Sequence, residues 1–193
     1  MNMRIHSFLP CSKANGPGTR ACIWFQGCTL GCKGCCNPGA RDPGGGEIIS
    51  VVDMSEKITS LDNIEGISIS GGEPFQQPLA LYELLKLIRA KKELSVLVFT
   101  GYSIDEIRED PLKERILPMV DILVAGRYDQ DKATPGGLLA SANQKIHFLS
   151  DRYGPGDMEN LADLEIYIEE NGNITATGIS SPAIFLQDGK ETF

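Results

Sequence analysis

The sequence predicts an α/β protein built as a partial (β/α) barrel of about five parallel strands, followed by a C-terminal β-hairpin extension. Three observations carry this. Short apolar runs rich in strand formers alternate with amphipathic segments of helical period. Each predicted strand runs into a polar or glycine-rich turn, the arrangement that puts working groups at strand C-termini. The chain has 193 residues, too few for eight full βα units.

The elements follow in order. Residues 1–20 open with Met-Asn-Met-Arg-Ile-His and pass into the turn Gly16-Pro17-Gly18. Ala21 to Gln26 reads as the first strand, delivering the chain to a cysteine-rich loop at its C-terminal end. Trp24 and Cys22 in it read as core residues. Residues 36–47 form an irregular loop around that site. Asp53 with Glu56 forms a capping box for a helix reaching about residue 60. Glu65 to Ser70 alternates as a strand and ends in Gly71-Gly72-Glu73-Pro74. Residues 78–92 are the clearest helix, with Pro78 at its start, Leu81, Leu84, Leu85 and Ile88 on one face and Arg89, Lys91 and Lys92 at its end. Leu94 to Phe99 is a strand ending in Thr100-Gly101-Tyr102, and Ser103 with Glu106 caps a helix that stops before Pro111. Leu112 to Met119 is a further helical candidate, and Val120 to Ala125 a strand ending in Gly126-Arg127. Gln144 to Ser150 adds a strand. Glu165 to Glu170, Asn171-Gly172 and Asn173 to Thr177 read as a hairpin with a tight turn. Residues 1–150 are thus the core, and 151–193 an appendage of the same domain.

Composition narrows the function classes. Hydrophobic residues make up 41% of the chain, enough for one sizeable core. No apolar run reaches transmembrane length and no targeting segment opens the chain, so a cytoplasmic protein is expected, with no membrane partner. Six cysteines without a secretory signal point to a reducing compartment, where thiolates bind metal. A net charge of −8 argues against nucleic-acid binding. Arg20, Lys33 and Arg41, near the cysteine loop in sequence, are candidates for a local basic patch. His6 and His147 are assigned no role.

The chemistry concentrates in Cys28-Thr-Leu-Gly-Cys32-Lys-Gly-Cys35, a C-x3-C-x2-C run within eight residues. Three thiolates on a glycine-rich loop suit a four-iron, four-sulfur cluster with one iron left without a protein ligand, a position open to a substrate. Two other readings stand beside it. A structural zinc knuckle needs a fourth ligand, and neither the remaining cysteines (Cys11, Cys22, Cys36) nor the histidines supply a zinc spacing. A disulfide scaffold suits short secreted chains rather than one of this length.

Gly16-Pro17-Gly18-Thr19-Arg20, Phe25-Gln26-Gly27-Cys28, the cysteine triplet, Asn37 and Gly71-Gly72-Glu73-Pro74 together resemble the radical S-adenosylmethionine superfamily. The likeness spans about residues 15 to 150. It is greatest to the activating enzymes of glycyl-radical enzymes, in particular the group that serves anaerobic ribonucleotide reductase. Thr100-Gly101-Tyr102, Asp121 to Gly126 and Ser141 to Gln144 belong to the same likeness. The resemblance implies a partial barrel of the radical S-adenosylmethionine type. It implies a [4Fe-4S] cluster on Cys28, Cys32 and Cys35, whose open iron chelates S-adenosylmethionine. It further implies that Gly71, Gly72 and Glu73 hold the methionine ammonium, that the adenine lies over Gly34, Cys35 and Cys36, that Asn37 belongs to the same cofactor site, and that Thr100 reaches the ribose. The family tends to carry an Asp where this chain has Ala125, which leaves that role vacant or gives the cofactor carboxylate to Arg127. Cys36 stands where an aromatic residue or His is commoner.

The activity so implied is reductive cleavage of S-adenosylmethionine to a 5′-deoxyadenosyl radical that installs a glycyl radical on a partner enzyme. An electron donor such as flavodoxin or ferredoxin is implied as well. The competing reading is a radical enzyme acting directly on a small molecule or peptide. A third, an electron carrier or zinc adaptor, has no use for an amino-acid clamp at residues 71–73.

Overall fold

The computed structural model describes residues 1–168, 172 and 174–178. Its nine described strands and four α-helices run in the order β1 (Asn2–Ser12), β2 (Arg20–Phe25), β3 (Glu47–Ser50), α1 (Val51–Thr59), β4 (Gly66–Gly71), α2 (Pro78–Lys91), β5 (Ser95–Thr100), α3 (Ile104–Arg108), α4 (Pro111–Glu114), β6 (Ile122–Ala125), β7 (Lys145–Phe148), β8 (Leu164–Ile168) and β9 (Ile174–Gly178).

Seven strands form one sheet in the order β3-β1-β2-β4-β5-β6-β7, and β8 pairs with β9 separately. The four central strands, β2, β4, β5 and β6, are parallel, while β1, β3 and β7 join antiparallel. The edges β3 and β7 do not meet, so the sheet is open. The expected five parallel strands are therefore four. A parallel return needs a helical crossover of a dozen residues or more. The segment between β6 and β7 carries only a 3-10 turn, Gln130–Lys132, so β7 comes back antiparallel.

The first strand is also not the expected one. Residues 2–12 form β1, which pairs with β2 through two register irregularities, one between Leu9 and Ser12. Pro10 lies in that irregular stretch, where its missing N–H is tolerated. Likewise α1 begins two residues before Asp53: the Ser50 side chain caps it by accepting from the Asp53 N–H at 3.1 Å. α2 begins at Pro78 as predicted and ends one residue earlier, at Lys91, with Lys92 as its extended C-cap; the capping box of α3 stands as the sequence predicts, with Ser103 and Glu106 bonding reciprocally.

Strand alternation divides the core. Ala21, Ile23, Phe25, Ile67, Ile69, Val96 and Val98 face α1 and α2, whose Met54, Ile58, Leu81, Leu84, Leu85 and Ile88 are fully buried against them. The opposite face of β5 and β6 is covered by residues 138–161, which bring Leu138, Tyr153 and Met158 onto Leu97, Ile122 and Val124. On β2 and β4 that opposite face is polar, pairing Arg20, Cys22 and Trp24 in register with Gly66, Ser68 and Ser70. Trp24 is buried.

Arg20 is fully buried at the start of β2. Its guanidinium donates to Ser68 Oγ, Ser95 Oγ and the carbonyls of Pro17, Ile67 and Ser95, at 2.7–3.2 Å. Arg20 therefore has no part in a surface patch beside the cysteines: it ties the Gly16-Pro17-Gly18 turn to β4 and β5 at the far end of the sheet. The β8–β9 hairpin docks at that same end. Glu165 accepts from Ser12 Oγ and from the N–H groups of Lys13 and Ala14, and Asn15 donates to Thr177 Oγ1. The expected tight turn of the hairpin rests on Asn171, which lies outside the described residues.

Candidate functional site

All four parallel strands deliver their C-terminal turns to one edge: Gly27-Cys28 from β2, Gly71-Gly72-Glu73 from β4, Thr100-Gly101-Tyr102 from β5 and Gly126-Arg127 from β6. Backbone bonds stitch these turns together. Gly72 N–H donates to the Phe25 carbonyl at 2.7 Å, Glu73 N–H to Gly27 at 2.9 Å, and Gly126 N–H to Thr100 and Tyr102 at 3.0 Å each. The two glycines are required by this packing. Gly71 has φ +109°, and a Cβ there would lie 2.3 Å from the Phe25 backbone. A Cβ on Gly72 would lie 2.4 Å from the Gly27 carbonyl oxygen. The space their missing side chains leave is filled by protein backbone.

Glu73 also faces inward. It is 1% exposed, and its carboxylate accepts from the Phe75 N–H at 2.9 Å, Thr100 Oγ1 at 2.8 Å and the Gly101 N–H at 2.8 Å. Burial pushes the carboxyl up to about 7, against the opposing pull of those three donors. These three bonds join the end of β4 to the end of β5 through the carboxylate that the resemblance assigns to the cofactor ammonium. Thr100 Oγ1 is committed in the same network, donating to Glu73 and accepting from the Tyr102 N–H at 3.1 Å.

Cys28, Cys32 and Cys35 are half-buried and free of disulfides on the loop beyond β2. Gly31 and Gly34 both take φ +69°, which lets the loop turn twice within the motif. Leu30 lies against Gly101, and Gln130 against Gly34, so the loop sits over the ends of β5 and β6. Burial, then the nearby Glu73, Cys35 and Cys32, hold the Cys28 thiol above its ordinary value. Among the described residues no three Cys, His, Asp or Glu side chains stand gathered as a metal-binding group. The donor set itself, three free soft thiols on one glycine-hinged loop, fits an iron–sulfur cluster. Cys36 and Cys11 are exposed, and Cys22 is buried with its thiol pushed up to about 12 by desolvation, which makes it a poor ligand. Asn37 is half-buried and precedes the 3-10 turn Pro38–Ala40, making no capping bond with its side chain.

Arg127 reaches the same edge, where its guanidinium is engaged by Glu106 in a two-pronged pair at 2.7 and 2.9 Å and donates to the Gly101 carbonyl at 3.2 Å. That pairing holds the Glu106 carboxyl down to about 2. Ala125, where an acid was the expectation from resemblance, packs into the helix-side core.

Sequence reading missed Gln76 and placed Tyr102 only at the end of the Thr100-Gly101-Tyr102 turn. The Gln76 carboxamide accepts from the Thr29 N–H at 3.1 Å and donates to Thr29 Oγ1 at 2.8 Å and to the Tyr102 hydroxyl at 3.3 Å. A cavity of about 320 Å³ adjoins it, lined by Arg4, Gly27, Thr29 and Pro43 among others. No motif marks these contacts, since the partners lie 26 and 47 residues apart.

Residues 14–147 match the family described as a 4Fe-4S single cluster domain. The chain is 33% identical over 154 residues to an anaerobic ribonucleoside-triphosphate reductase-activating protein of Vibrio cholerae, covering 75% of this chain and 97% of that protein. It is 34% identical over 154 residues to the protein of that name from Haemophilus influenzae, with the same coverage. Against the enterobacteria phage T4 protein of that name it is 26% identical over 149 residues, covering 75% and 93%.

Proposed function

The chain belongs to the anaerobic ribonucleoside-triphosphate reductase-activating proteins, within the 4Fe-4S single cluster domain family, and we propose that it uses S-adenosylmethionine to install a glycyl radical on a partner reductase. The observation that carries this reading is the meeting of the cysteine loop with the Gly71–Glu73 turn at the C-terminal ends of adjacent parallel strands.

Cys28, Cys32 and Cys35 would hold the cluster. The chemistry such a cluster would supply there is one-electron reductive cleavage of S-adenosylmethionine, the source of the radical that would take a hydrogen from a glycine of the partner. The chain's own residues bind and orient. We assign the amino-acid end of the cofactor to the backbone of the Gly71–Glu73 turn, whose shape the buried Glu73 carboxylate maintains through Phe75, Thr100 and Gly101. We assign the adenine side to the backbone of Gly34, Cys35 and Cys36 with Asn37. Thr100 acts on this reading by fixing Glu73. Arg127, held at the strand ends by Glu106, is the cation available to the cofactor carboxylate.

The activity resides in residues 1–150, with 151–193 as an appendage; the family match over 14–147 supports this division. The described hairpin docks at the opposite end of the sheet, on Ser12 to Asn15, and so does not itself cover the cysteine edge, where a protein loop would enter. An electron donor such as flavodoxin or ferredoxin would reach the half-exposed loop from the same edge. No described helix is long and apolar enough to cross a membrane. The free cysteines suit a reducing cytoplasm.

The test is spin resonance on the anaerobically reconstituted protein, mixed with S-adenosylmethionine, a strong reductant and an anaerobic ribonucleotide reductase. A persistent glycyl doublet on the reductase is expected. Repeated turnover of a small molecule with no radical on the protein partner would replace this reading with the direct-enzyme one.

A further inference from the structure

We propose that Gln76 is a positioning residue for the first cluster ligand: its carboxamide fastens Thr29, the residue after Cys28, to the turn that begins at Gly71 and to Tyr102. The inference rests on the reading that Cys28, Cys32 and Cys35 hold the cluster.

The geometry is specific. Gln76 spends both ends of its amide on one residue, accepting from the Thr29 N–H at 3.1 Å and donating to Thr29 Oγ1 at 2.8 Å. Two bonds to one residue fix orientation as well as distance. The same NH2 group reaches the Tyr102 hydroxyl at 3.3 Å, so one side chain joins the turns that follow β2, β4 and β5. Its own backbone is well anchored. Gln76 closes the 3-10 turn Pro74–Gln76, which Glu73 caps, and its N–H donates to the Glu73 carbonyl at 3.0 Å. Phe75 beside it is fully buried.

The cysteine loop is held unevenly. Gly27 donates to Ala40 and accepts from Glu73, and Cys28 N–H donates to the Arg41 carbonyl at 2.9 Å. Gln76 then takes Thr29. Past that point, residues 30–37 make no backbone hydrogen bond to any other element among the described residues. Cys28 is thus fixed on both sides before a cluster binds, while Cys32 and Cys35 are carried by a segment that must close around it. Gln76 is the last residue to grip the loop on the fixed side. A glutamine suits the task because Thr29 offers a donor and an acceptor together, and a carboxamide answers both.

The experiment uses the full chain, reconstituted anaerobically, as wild type, Gln76→Ala, Thr29→Val, Thr29→Ser and the Gln76→Ala/Thr29→Val double variant. The readouts are the rate at which a ferrous chelator removes iron, the spin-resonance line shape of the reduced cluster, and the urea midpoint. Gln76→Ala is expected to lose iron about fivefold to tenfold faster, as suits the loss of its two solvent-touched hydrogen bonds to Thr29. Its line shape changes while its urea midpoint stays at the wild-type value. Thr29→Val shows part of the effect, Thr29→Ser keeps the wild-type rate, and the double variant loses iron no faster than Gln76→Ala alone, because both act through one contact. The assignment is overturned if Gln76→Ala matches wild type in rate and line shape. It is equally overturned if only the urea midpoint falls, which marks a purely structural residue. A wild-type chain that takes up no iron removes the functional reading itself, and this one with it.

Discussion

Replacing Glu73 by Gln discriminates between a carboxylate that grips the cofactor and one that holds the turn together. In the structure one carboxylate oxygen takes Phe75 N–H and Thr100 Oγ1, and the other takes Gly101 N–H. A protonated carboxyl satisfies all three: its hydroxyl donates to Thr100 Oγ1 while accepting from Phe75, and its carbonyl accepts from Gly101. An amide does not. Whichever way it is turned, its NH2 group faces a backbone N–H, leaving one buried donor without an acceptor, at a cost of about 1–3 kcal/mol. The effect depends on pH. Because burial raises the Glu73 carboxyl from 4.5 to about 7, folding favours its protonated form. That contribution to stability is fully present below 4.5 and is lost as pH rises through about 7, by roughly 3 kcal/mol in all. Glutamine has no such ionisation cost. Urea unfolding under anaerobic conditions should therefore show Glu73→Gln clearly less stable than wild type near about pH 4, below the unfolded value of 4.5, with the gap closing or reversing as pH rises to about 7. If the variant is as stable as wild type at the lower pH while S-adenosylmethionine affinity alone falls, the carboxylate serves the cofactor directly and the reasoning is wrong.

Three further predictions rest on separate contacts. Alanine at Cys28, Cys32 or Cys35 should abolish iron retention and the visible absorbance of the anaerobic protein, whereas alanine at Cys11, Cys22 or Cys36 should leave both; full iron in any of the first three variants refutes the ligand set. Arg20→Lys removes most of a buried guanidinium network whose acceptors include three carbonyls, and should cost about 3–5 kcal/mol by urea unfolding; a change under about 0.5 kcal/mol would mark it as a surface charge after all. Gly72→Ala, whose Cβ would sit 2.4 Å and 2.6 Å from two backbone oxygens, should fail to accumulate as folded protein. Gly31→Ala, with open space around it but φ +69°, should cost only about 1–2 kcal/mol, and equal yields of the two variants would contradict the packing described at the strand ends.

What the sequence by itself determined is what short-range chemistry dictates. The Ser103 and Glu106 box and the Pro78 start of α2 with its apolar face each depend on residues a turn or a helix apart, and each stands in the structure as read; the cysteine run is equally local, its three free thiols carried on one loop beyond β2. The chain's order of strands and helices likewise brought the cysteine loop and the Gly71–Glu73 turn to one edge. Only the tertiary structure decided where long-range partners lie. Arg20 reads as a charge near the cysteines, yet it is the buried tie at the other end of β2, because its acceptors come from β4 and β5. The same limit hid β1, whose pairing with β2 tolerates Pro10 only through a register irregularity, and the antiparallel return of β7, which follows from a missing crossover helix. Glu73 reads as an acceptor for a ligand, and the donors that claim it come from Phe75 and from a strand 27 residues on. Side-chain direction is set by what packs around the backbone, and a pattern of spacing carries no record of that.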